Sequence, residues 1–167
     1  MTSLLVGMIF LLLAFLAPVL GSIGGVVLAR LAKEELRAGK PYFLLLRKAF
    51  LAVLFLTLLF HTPLSLIAAL GFLLGIGGGL LLRSRPLLLG LVMVSAVQAG
   101  QEILLLLSSL VFLYNLPFAA SFPEENTMKG MASSFVMYAA PFLFLFTPFP
   151  SHPFFAAFAA GTIFLRA

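Results

Sequence analysis

Cysteine, tryptophan and aspartate are missing from this 167-residue chain, and histidine occurs only as His61 and His152. The first absence excludes disulfides, thiolate metal sites and a thiol nucleophile. Without aspartate, and with so few histidines, a zinc or di-metal site lacks ligands. No P-loop, dinucleotide fingerprint, HExxH or GxSxG occurs, so neither a cofactor nor a catalytic residue is assigned. Charge is scarce as well: 9% of residues are charged, against about 25% in soluble domains. The lack of cysteine and the small number of Asn and Gln suit a hot environment, a thermophile trait.

What is present is apolar. Hydrophobic residues make up 63% of the chain and its mean hydropathy is +1.22. Several runs reach the roughly 20 residues that cross about 30 Å of hydrocarbon. Lipid offers no partner for open backbone groups and barrel-type alternation is missing, so the spans should be helical. The expectation is an all-α, polytopic transmembrane bundle, one domain over residues 1–167. About six membrane segments are predicted, over residues 4–31, 44–60, 64–82, 87–116, 133–149 and 154–165. The first reads as a retained helix and not a cleaved signal, because its n-region is uncharged. The last two are short, about 25 Å and 18–22 Å at 1.5 Å per residue, and suit a thin crossing or a re-entrant hairpin.

The formal net charge is +5, but the basic residues flank apolar segments, a pattern for membranes and not for nucleic acid. Arg30, Lys33, Arg37, Lys40, Arg47, Lys48, Arg83 and Arg85 all fall on one side in this layout, against Lys129 near Glu124 and Glu125. That side should be cytoplasmic, with connections 1 and 3 there and the N-terminus outside. Six segments would return the C-terminus outside too. The eight basic residues are candidate contacts for lipid headgroups or a phosphorylated ligand. Gly39 is expected to end a helical extension from Arg30, and Pro41 to restart the chain.

Glycines recur at helical spacing. Gly21 and Gly25, then Gly71, Gly75 and Gly79, with Ala157 and Gly161 in the last segment, predict faces where helix backbones approach closely. Pro18 should kink the first helix. Residues 21–30 and 74–83 share Ile, two Gly, Leu and Arg in the same order, which hints at duplicated hairpins.

Glu102 lies in the long run 87–116, where an ionisable group costs roughly 2.5–3.5 kcal/mol on insertion scales. On a continuous helix, Ser95, Gln98, Glu102 and Ser109 share one face, with Gln101 beside them. This stripe is either an interhelical hydrogen-bond clamp or a proton, cation or small-solute path. His61 should sit outside and His152 inside, unless a re-entrant turn carries His152 toward Glu102. The leading functional expectation is a small transport-type membrane protein, oligomeric, with Glu102 on its internal path. The alternatives are an accessory or assembly subunit bound to other membrane proteins, and an enzyme acting on lipid phosphates at the basic face. In size and span count the chain resembles the small solute-binding membrane components of vitamin-type importers, with no motif to extend the likeness. Expected partners are membrane lipids, further copies of the chain or other membrane subunits.

Overall fold

The computed structural model describes residues 2–81, 85–121, 128–146 and 152–165. They form seven α-helices, and no strand occurs among the described residues. The helices are α1 (Thr2–Leu31), α2 (Lys33–His61), α3 (Leu66–Leu81), α4 (Arg85–Ala99), α5 (Gln101–Ser121), α6 (Met128–Ala139) and α7 (His152–Phe164). A 3₁₀ segment, Ala140–Phe146, prolongs α6. The turn containing Ser151, on which the re-entrant reading depends, lies outside the described residues.

Two expectations need correction. α2 runs unbroken through Gly39 and Pro41. Proline costs a helix one N–H and fixes a φ that is itself helical, and Gly39 takes no positive φ here. Glu34 and Glu35 occupy the first turn, where carboxylates meet the positive end of the helix dipole. The break falls instead at Ala32, a single residue with φ −117° and ψ 43°.

The second correction concerns the run 87–116, which is not one helix. Gly100 has a φ of +119°, a conformation that glycine alone adopts readily, and it separates α4 from α5. Pro86 and Tyr114 line the same cavity. A straight helix would hold them about 42 Å apart at 1.5 Å per residue, so α5 folds back along α4.

An independent register supports that reversal. A Cβ added to Gly71 would meet the Phe154 carbonyl oxygen at 2.7 Å, one on Gly75 would meet the Phe158 backbone, and one on Gly79 the Thr162 Cα at 3.2 Å. Contacts that climb together along both helices make α3 and α7 parallel. Six alternating segments would set these two antiparallel; the extra turn at Gly100 makes them parallel. Beside Gly71, Phe72 packs on the Phe164 ring, as does Phe55 of α2, at 6.1 and 5.8 Å between centroids. They lie equally far from the link that joins α2 to α3, so those two helices run antiparallel with α7 between them.

The core follows from side-chain size. α4 is buried without interruption from Leu88 to Ala96, as expected of a helix apolar on every side. α7 is buried from Phe155 through Ala157 and from Ala159 to Ile163, its alanines and Gly161 letting neighbours close in. The outer helices turn apolar faces outward: Ile9, Leu12, Leu16, Leu20, Ile23 and Val27 form one exposed stripe along α1. One stretch, Gly39–His61, is long and apolar enough to cross a membrane, and only 17% of its most apolar window is buried. The other apolar helical stretches of described residues are 10–17 residues long. The proposed duplication gains no packing support. Gly24 and Gly77 are superposed by the alignment, yet a Cβ on Gly24 meets only Leu116 at 3.9 Å and one on Gly77 meets nothing within 4 Å.

Candidate functional site

The turn at Gly100 rearranges the polar residues of the fourth run. The Gly100 carbonyl accepts from the Leu104 N–H at 3.0 Å, so α5 starts there and Glu102 sits in its first turn. A carboxylate is stabilising at that position for the same reason as in α2. Gln101 and Glu102 are both exposed. A face shared by Ser95, Gln98, Glu102 and Ser109 requires a continuous helix, and that helix does not exist.

Each serine satisfies itself locally. The buried Ser95 hydroxyl donates to the Val92 carbonyl at 2.7 Å, Ser108 to Leu105 at 3.0 Å, and the exposed Ser109 to Leu105 at 2.9 Å. Such back-bonding is the usual state of a helical serine without another partner. Gln98 is partly buried, and its Oε1 has no hydrogen-bond partner among the described residues.

His61 is exposed at the end of α2, its Nδ1 donating to the Thr57 carbonyl at 2.9 Å. His152 opens α7. Because α7 parallels α3, which begins just after His61, both histidines belong to the same end of the bundle. The expectation of opposite ends is thereby corrected. No cluster of three potential metal ligands occurs among the described residues.

Of the basic residues, Arg30, Lys40 and Lys48 are exposed, while Arg47 and Arg85 are half-buried. Arg83 and the side chains of Lys33 and Arg37 lie outside the described residues. Gly21 and Gly25 are buried; a Cβ on Gly21 would meet the Phe112 carbonyl oxygen at 2.6 Å, which brings α1 and α5 backbone to backbone.

Beside that contact is a cavity of about 280 Å³ between α1, α4, α5 and α6. Leu16, Val19, Leu89 and Phe135 supply apolar walls. Ser22, Arg85, Tyr114, Asn115, Ser134 and Tyr138 bring polar atoms to it. Three of its lining residues form a polar node: the Pro18 carbonyl accepts from the Ser22 hydroxyl at 2.8 Å and from Asn115 Nδ2 at 3.3 Å. Asn115 is 5% exposed and crosses from α5 to α1, joining residues far apart in sequence.

α1 packs along α5 and α6 along α4, whereas α1 and α6 have no extensive contact with each other. The cavity opens through that gap, past exposed Leu16, Ser134 and Phe135. Of this site, the sequence marked Arg85 as a headgroup contact and Pro18 only as a kink. A lone asparagine inside an apolar run was the readable signal for Asn115; nothing local marks Tyr138 or Ser134. Comparison with protein-family models, with curated proteins and with solved structures returns no match for this chain.

Proposed function

We propose that the chain is an integral membrane protein of transport type that holds a small solute in the cavity between α1, α4, α5 and α6. The cavity itself is the observation that carries this reading: a concave, mostly apolar space with a few converging polar groups is the usual form of a small-molecule site. Glu102, exposed at a turn and away from the cavity, has no place in it.

The membrane reading rests on surface and charge. A soluble helix turns polar residues outward, while α1, α2 and α3 turn out leucine, isoleucine and valine. α4 and α7 are too short to span alone at 15 and 13 residues, but they are buried in protein and need not meet lipid. If the helices alternate from α1 to α7, the eight lysines and arginines among the described residues fall toward one end, and Glu102 and both histidines toward the other. The six-segment layout sets Lys129 apart from the rest. By the positive-inside rule that end is cytoplasmic, the start of α1 is outside and the end of α7 is cytoplasmic. Lipid, further copies or other membrane subunits would cover the outer stripes.

Uptake of radiolabelled decanoate, decanol and decyltrimethylammonium into proteoliposomes tests the reading. Ser134→Trp, an exposed position at the cavity mouth, should abolish whichever flux is present, and Glu102→Gln should leave it. Flux that Glu102→Gln abolishes and Ser134→Trp spares would move the path to Glu102, and no protein-dependent flux of any probe would contradict transport.

A further inference from the structure

We infer that the cavity between α1, α4, α5 and α6 binds an amphipathic anion, an acid group carried on an apolar chain, which enters sideways from the bilayer. The inference rests on the reading of that cavity as a solute site and names the chemical class of the solute.

Charge selects the sign. Arg85 is the only charged side chain among the described lining residues. It opens α4, whose first turn also lines the cavity through Pro86. Pro86 has no N–H to donate, so what the helix start adds there is the positive end of its dipole. Guanidinium and helix end therefore favour an anion at the same wall. Arg85 already has a partner within the protein, and a planar guanidinium, with five N–H donors, can serve a carboxylate or phosphate besides it. A cation would be repelled by both features, and a neutral acceptor would gain a hydrogen bond without the charge attraction.

Shape selects the rest. Leu16, Val19, Leu89 and Phe135 line the same space, which suits a hydrocarbon chain and not a hydrated ion. The mouth opens between α1 and α6, beside the apolar stripe of α1. A molecule already dissolved in the acyl layer could enter with its chain trailing into lipid. At about 280 Å³ the space holds a headgroup and part of a single chain, not two complete acyl chains. Fatty-acid-like carboxylates and anionic phospholipids share this chemistry.

The test is native mass spectrometry of the full chain in a neutral detergent, with decanoate, phosphatidylglycerol, decanol or decyltrimethylammonium added in turn. One saturable adduct is expected with decanoate or phosphatidylglycerol, held at least tenfold more tightly than decanol or the ammonium. Retention of decanoate alone identifies a free acid, and of phosphatidylglycerol alone a lipid. Arg85→Gln should weaken the adduct at least tenfold and Arg85→Lys less. Ser134→Trp should remove it while the protein elutes as a single folded species. Equal retention of all four probes, removed by Ser134→Trp, would overturn the anion and leave the cavity as a solute site. No saturable adduct with any probe, or adducts that Ser134→Trp leaves unchanged, would overturn both.

Discussion

Two faces of the bundle solve opposite problems. Between α3 and α7 no space remains: glycines at 71, 75 and 79 on one helix and at 161 on the other set backbone against backbone. Between α1 and α6 the helices stay apart, and a cavity lined by tyrosine, asparagine, serine and arginine fills the gap. Helices can be held together by close backbone packing or by interhelical hydrogen bonds. The α3–α7 face uses the first and the Asn115–Pro18 node the second. The tight face can hold the fold while the loose face remains available to a ligand.

The comparison is broken most severely at Gly75. A leucine there would drive its Cβ into the Phe158 carbonyl, which cannot move without its helix, and should cost about 3 kcal/mol or more. Thermal unfolding followed by circular dichroism in neutral detergent should show a greatly lowered midpoint or no folded protein. Gly100→Ala comes next, because φ of +119° strains any L-residue, by about 1–3 kcal/mol. The same unfolding assay reads it. Asn115→Leu removes the bond to Pro18 and should cost about 1 kcal/mol, with the loss confined to the α1–α5 side in hydrogen exchange. The smallest effect has the opposite sign. Gly77 lies two residues from Gly75 and its Cβ would meet nothing, so Gly77→Ala should stabilise the helix by about 0.5–1 kcal/mol. A comparable loss from Gly75→Leu and Gly77→Leu would mean that packing does not distinguish the two faces of α3.

These residues also mark how far the sequence could be read. Helical structure throughout was legible, because composition and the absence of alternation left no other class. The spacing of Gly71, Gly75 and Gly79 pointed to a packing face, and their Cβ positions do meet the α7 backbone. Gly100 was not legible as a break. A single glycine within apolar sequence reads as a tolerated helical residue, and Gly71 to Gly79 remain helical in this chain. What separates Gly100 is its sequel, Gln101-Glu102, an acidic first turn behind a glycine. That signal was overridden by the length of the apolar run 87–116 and by the polar stripe drawn across it. The error spread from there: one missed reversal changed the number of segments, the end occupied by His152 and the surroundings of Glu102. The cavity was unreadable for another reason, since its walls come from four helices whose contact depends on that reversal.

The reversal at Gly100 is the central claim, and a chain with no cysteine allows it to be tested one thiol at a time. Single cysteines at Lys40, His61 and Glu102, probed in intact cells and in inverted vesicles with a membrane-impermeant maleimide, give the answer. The account predicts that Glu102→Cys labels from the same side as His61→Cys and opposite to Lys40→Cys. A Glu102 thiol protected from both sides, or labelled together with the Lys40 thiol, would contradict it.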